Sequence, residues 1–180
     1  MLSEFEILQI VIKKLDLAGI FYMVSGSIAA NFYTTPRMTR DIDIVIEVGN
    51  KDAEKLYSLF SKDFYLDIEA VKEAVRNQKV FNIIHNESVV KVDFIVKKET
   101  DYRKIEFARR RKIAFEDLNI YIVSPEDLII SKLYWAKDSF SEKQITDVRN
   151  LFNTVSDIDK EYIQKWVKQL GIEKIYKEVG

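Results

Sequence analysis

Asp41, Asp43 and Asp93 each interrupt an apolar run. Residues 41–47 read Asp-Ile-Asp-Ile-Val-Ile-Glu. A period of two marks a strand and puts Asp41, Asp43 and Val45 on one face, with Ile42, Ile44 and Ile46 on the other. Two carboxylates held that close repel each other unless a cation lies between them, and a buried carboxylate without a partner is costly. Asp93 repeats the theme within Val92-Asp93-Phe94-Ile95-Val96. If its strand lies beside that of Asp41, three carboxylates converge. An oxygen-only donor set favours Mg²⁺ or Mn²⁺ over zinc. Three carboxylates can hold two such ions roughly 4 Å apart, which supports both the attacking and the leaving oxygen of phosphoryl transfer. A second reading makes Asp41 and Asp43 half of a buried ion network with Arg37, Arg40 or Lys91.

The elements that must position these acids follow from periodicity and punctuation. Phe5–Leu17 carries a helical apolar stripe, and Gly19 stops it. Phe21–Val24 reads as a strand, Ser25-Gly26-Ser27 as a turn and Ile28–Tyr33 as a short helix ended by Pro36. A Gly-Ser turn between strand and helix offers backbone amides and a helix dipole to a phosphate, with the Ser27 hydroxyl as one more donor, although such a turn is also simply a turn. Asp41–Glu47 is a strand and Asp52–Ser61 a helix. Phe64–Ile68 is extended and Glu69–Asn77 helical. Val80–His85 and Val89–Val96 form a hairpin turning at Asn86-Glu87. Ile113–Phe115 and Ile120–Val123 are later strands. After Ser124, an N-cap followed by Pro125, helices are expected over Glu126–Lys137, Ser141–Phe152 and Asp157–Leu170, the last ended by Gly171. The expected fold is α/β: a small twisted mixed sheet flanked by helices over residues 1–123, with a helical extension over 124–180.

Composition narrows the function. The 180 residues suffice for one domain, or a domain with a small extension, and for a real core. No apolar run approaches the ~20 residues of a membrane span, and the acidic start has no signal-peptide shape, so a cytoplasmic location is expected. The absence of cysteine excludes disulfides, thiol catalysis and Cys-ligated zinc. The net charge of −1 gives no global pull on nucleic acid. Residues 97–113 nevertheless concentrate Lys97, Lys98, Arg103, Lys104, Arg109, Arg110, Arg111 and Lys112. That stretch is either a polyanion contact or a solvated face, and Arg109–Arg111 is its best candidate for touching nucleic acid. His85, the single histidine, reads as structural, and Trp135 and Trp166 fit helix packing.

Gly26-Ser27, thirteen further residues and then Asp41-Ile42-Asp43-Ile44 resemble the signature of the nucleotidyltransferase (polymerase-beta-like) superfamily. Asp93 in Lys91-Val92-Asp93-Phe94 stands where that family has its third carboxylate. Arg37-x-Thr39-x-Asp41 resembles a branch that includes abortive-infection toxins and minimal nucleotidyltransferases. The match covers about Phe21 to Val96. A weaker likeness continues through Pro125-Glu126-Asp127-Leu128 to Lys132-Leu133, and to Asp147. The resemblance implies a metal-dependent enzyme that transfers a nucleoside monophosphate from a nucleoside triphosphate. In it Asp41, Asp43 and Asp93 hold Mg²⁺ or Mn²⁺, and Gly26, Ser27, Arg37 and Arg40 lie toward the phosphates. Lys132 neutralises phosphate charge and Asp147 orients it. Lys132 equally fits a lysine snorkelling from an amphipathic helix, and residues 139–144 depart from the branch's basic-acidic cluster. The implied acceptor is an RNA such as tRNA, a protein or a small molecule, and a toxin would imply an antitoxin partner. The alternative is a non-catalytic nucleotide- or partner-binding module that keeps the fold. A third reading is a purely structural domain whose aspartates pair with arginines.

Overall fold

The computed structural model describes residues 2–39, 41–139 and 141–179. The first half contains α1 (Glu4–Leu17), β1 (Phe21–Ser25), α2 (Gly26–Tyr33), β2 (Asp41–Glu47), α3 (Ala53–Phe60), β3 (Phe64–Tyr65), α4 (Ile68–Asn77), β4 (Val80–His85) and β5 (Lys91–Val96). The second half contains α5 (Asp101–Ala108), β6 (Arg111–Phe115), β7 (Leu118–Ile122), α6 (Pro125–Ala136), α7 (Glu142–Thr154), α8 (Lys160–Gln169) and α9 (Glu173–Tyr176). The strands form one mixed sheet in the order β3-β4-β5-β2-β1-β7-β6. The β2–β5 and β1–β7 pairs are parallel, and the other pairs antiparallel. The α/β class expected from the sequence is the class observed. Among the described residues no helix is long and apolar enough to cross a membrane.

The period-two strands divide their side chains between two apolar clusters. Ile42, Ile44, Val92 and Phe94 face Ile7, Leu8 and Val11 of α1 and Leu56, Phe60 and Val71 of α3 and α4. A second cluster gathers Leu128, Ile129 and Leu133 of α6, Val148 and Leu151 of α7, and Ile163 and Trp166 of α8 around Met23 of β1, Ala29 and Ala30 of α2, and Tyr102 and Phe107 of α5. Helix α6 lies between the sheet and the later helices, and every residue from Pro125 to Leu133 is buried. It starts as the sequence suggests, with the Ser124 hydroxyl accepting from the Asp127 amide and Pro125 in the first turn.

Three local readings change. Residues 101–108 form helix α5, with Tyr102, Glu106 and Phe107 turned inward; at the sequence level the surrounding charges hide that helical spacing. The fifth strand begins at Lys91, because Val89 takes a left-handed φ of 58° in the turn. The extended piece at 64–68 is only Phe64–Tyr65, since Asp67 caps α4 by accepting from the Glu69 amide.

Candidate active site

Strand register decides which acids meet. Asp43 pairs with Asp93 across the parallel β2–β5 ladder, and Asp41 pairs with Lys91. Directly paired residues project to the same side of a sheet. One row on the face away from α1 therefore reads Tyr65, Ile84, Lys91 and Asp41, and the next reads Asn82, Asp93, Asp43 and Ser25. Adjacent strands lie about 4.8 Å apart, so Asp43 and Asp93 are immediate neighbours. Burial, together with the charges of Asp93 and Asp41, pushes the Asp43 carboxyl above the usual carboxylate range, and Lys132 and Lys91 only partly offset this.

Gly26 accounts for how the turn meets the acids. Its φ is +61°, and a Cβ built there would lie 1.9 Å from Asp43 Oδ2 and 2.7 Å from its Cγ. Only a residue without a side chain lets the first turn of α2 rest on the Asp43 carboxylate. The candidate phosphate-binding turn and the first carboxylate are thus in contact.

A second network lies beside the first. Arg37 donates to Asp147 Oδ1 (3.0 Å) and Oδ2 (2.8 Å), a bidentate pair, and to Ser27 Oγ (2.7 Å). Lys132 Nζ donates to Asp147 Oδ2 (2.7 Å) and to Gln144 Oε1 (3.1 Å). Lys132 is only 4% exposed and Asp147 5%. Burial lowers the Lys132 pKa, against the opposing pull of Asp147. Burial raises that of Asp147, but the hydrogen bonds from Arg37 and Lys132 outweigh it and the net direction is down. Burial thus works against the charge on Lys132, while the hydrogen bonds favour the charged form of Asp147. Asn31 holds Arg37 from behind, donating to its carbonyl (2.9 Å) and accepting from its amide (3.1 Å).

Lys91 is the third element. Its ammonium lies 2.8 Å from Asp93 Oδ2 and 3.5 Å from Asp41 Oδ1. Among the described residues no three acidic or imidazole groups stand close enough to form a finished metal cage. The donor set nonetheless suits Mg²⁺ or Mn²⁺, being all oxygen, on one face and under mutual repulsion at Asp43.

The residues read from the sequence fall into these groups. Asp41, Asp43 and Asp93 share one face of the sheet, and Gly26 touches Asp43. Ser27, Arg37, Lys132 and Asp147 form one hydrogen-bonded chain. Arg40 lies outside the described residues. Arg109 pairs with Asp127 (3.1 Å) and Glu126 (3.3 Å) and lies 4.0 Å from the Tyr162 ring centre, and Arg111 reaches Glu126 at 3.5 Å. His85 belongs to the opposite face, where its Nδ1 meets Ser88 and the residue lines a cavity of about 460 Å³ with Lys62 and Asp63, away from the acids. Sequence reading missed Asn31 and Gln144; an amide inside the otherwise apolar α2 was the one signal for Asn31.

No family model and no curated protein matches the sequence. Solved structures do match it. An antibiotic-resistance factor, ANT(2'')-Ia, superposes with a TM-score of 0.60 over 95% of this chain and 94% of that one, at 12% identity. A lincosamide antibiotic adenylyltransferase with lincomycin bound gives 0.59 over 86% and 99%, at 14% identity. An antigenic nucleotidyltransferase-like protein from Paracoccidioides brasiliensis gives 0.55 over 93% and 87%, at 19% identity. The chain has the nucleotidyltransferase fold.

Proposed function

We propose that the chain is a nucleotidyltransferase that moves a nucleoside monophosphate from a nucleoside triphosphate onto an acceptor hydroxyl, forming a bond from that oxygen to the α-phosphorus and releasing pyrophosphate. The contact between Gly26 and the Asp43 carboxylate carries this reading, because it brings an anion-binding helix start against the acid that a metal–triphosphate complex needs. Asp41 and Asp43, with Asp93 beside them, would hold Mg²⁺ or Mn²⁺. The ion would neutralise the triphosphate and stabilise the developing charge at the α-phosphate. The amides at Gly26 and Ser27 would receive the phosphate oxygens. Lys132, whose proton is held in place by Asp147, would complement their charge, with Arg37 locked to the same carboxylate. Asp93, opposite Asn82 on the uncovered face of β4, would accept the proton of the incoming hydroxyl.

A small hydroxylated acceptor is the reading we favour. One of the fold relatives is described with adenylyl-2''-tobramycin, the product of such a transfer. The RNA-directed reading drew on Arg109–Arg111, and two of those guanidiniums are engaged by Glu126 and Asp127. The test is thermal melting with ATP, CTP, GTP and UTP, with and without Mg²⁺, on the wild type and on Asp41→Ala/Asp43→Ala. A nucleotide at 100 times its dissociation constant should stabilise by about 2.7 kcal/mol, and the double variant should lose that gain. A wild type indifferent to all four nucleotides with Mg²⁺ present would sink the proposal and leave the non-catalytic module.

A further inference from the structure

Among the described residues, Lys91 is the one cation in ion-pair contact with these carboxylates, and its role goes beyond the transfer reaction on which this inference rests. It occupies the same row as Asp41 and lies two residues before Asp93 on the same strand face. Its ammonium touches both acids, at 2.8 Å from Asp93 and 3.5 Å from Asp41. Among the described residues Asp43 has no ion pair of this kind, although Gly26 lies against its carboxylate. The two sides of the cluster are thus unequal. The Asp93 side has an ammonium 2.8 Å away, and the Asp43 side, among the described residues, has no ion pair of that kind.

We propose that Lys91 is the resident cation of the Asp41–Asp93 side, so that the site takes one divalent ion readily, at Asp43 with Asp41, and admits another only when the lysine leaves. Two cations within about 4 Å of one carboxylate pair repel each other, so a metal ion at Asp93 must displace the ammonium or share its acid with it. Lys91 is on the partly exposed rim, with 38% of its side chain accessible, so it can be displaced without unfolding anything. The lysine would therefore set how tightly the acceptor-side metal is held.

Calorimetric titration with Mn²⁺ alone, without nucleotide, tests this on the full chain. The variants are Lys91→Met, which removes the charge but keeps the stem, and Lys91→Arg, which keeps the charge. The expected result is that Lys91→Met binds one more Mn²⁺ per chain than the wild type, or binds it at least about tenfold tighter, while Lys91→Arg behaves as the wild type. Adding Asp93→Asn to Lys91→Met should abolish the gain. Urea unfolding of each variant checks that the fold is kept. Equal stoichiometry and affinity in the wild type and Lys91→Met would overturn the proposal. So would a gain shared by Lys91→Arg, or no saturable binding to Lys91→Met. A purely structural lysine would change stability and leave Mn²⁺ affinity where it was. Failure of the transferase reading would show separately, in the nucleotide melts, whatever the Mn²⁺ titrations give.

Discussion

Gly26→Ala should be far more damaging than a surface glycine-to-alanine change, and its cost can be divided between two causes. The backbone at Gly26 has φ +61°, where an L side chain costs about 1–2 kcal/mol. The added methyl would also lie 1.9 Å from Asp43 Oδ2, 2.7 Å from its Cγ and 2.9 Å from its Cβ. The carboxylate can rotate away, but Cβ is fixed by the β2 ladder, where Asp43 pairs with both Ser25 and Asp93. Overpacking of this kind costs about 1–3 kcal/mol. The expected total is about 2–5 kcal/mol, with loss of any metal and nucleotide binding because Asp43 is displaced. Urea unfolding of a double-mutant cycle separates the two causes. In an Asp43→Ala background only the 2.9 Å contact remains, so Gly26→Ala should cost about 1–2 kcal/mol less there than in the wild type. Equal costs in the two backgrounds, within about 0.5 kcal/mol, would refute the claim that the turn rests on the acid.

Two further outcomes follow from the buried charges. Asp147→Ala removes the shared acceptor of Lys132 and Arg37 and leaves the lysine buried with Gln144 as its remaining hydrogen-bond partner; it should cost about 3 kcal/mol in urea unfolding, whereas Lys132→Met, which leaves Asp147 paired with Arg37, should cost less than half of that. Glu106 is buried against Arg103 and Ser131, and burial raises its pKa above the ordinary value despite both partners and with Asp127 adding to the rise. A folded-state pKa above the unfolded one means that the native protein binds the proton more readily, so this group's contribution improves as pH falls through the window above 4.5 and worsens as pH rises through the folded pKa. Unfolding at pH 7 and pH 5 should therefore show the wild type gaining on Glu106→Gln at the lower pH; a loss would mean that the Arg103 ion pair governs the site.

Much of the architecture was legible because it is local. The two-residue period of Asp41–Glu47 gave its strand and the shared face of Asp41 and Asp43, and Ser124-Pro125 gave the start of α6. Asp93 beside Asp43 is a different matter. Nothing within either segment states that β2 and β5 run parallel, or that their register places one aspartate opposite the other. The same long-range register turns Lys91 from one of three named partners into a bridge between Asp41 and Asp93. Residues 97–113 left two readings open for the converse reason. Their charges read as a surface, but Glu126 and Asp127, which answer Arg109 and Arg111, lie on a later helix.

That later helix explains why so many charges are buried around one lysine. Asp127 is fully buried and accepts from Ser124 Oγ, Arg109 Nε and Tyr162 Oη, so it ties the start of α6 to the segment after α5 and to α8. Glu126 takes Arg109 and Arg111 from the same segment. Ser131 adds a bond to Glu106 of α5. These contacts occupy the sides of α6 that do not face the carboxylates, and Lys132 leaves from the side that does. A lysine stem is long and mobile, and it can serve a defined phosphate position only if its helix cannot rotate or slide. The acids that pair with Arg109 and Arg111 are thus the ones that fix where Lys132 points. The basic stretch and the candidate site are linked by mechanics, through α6.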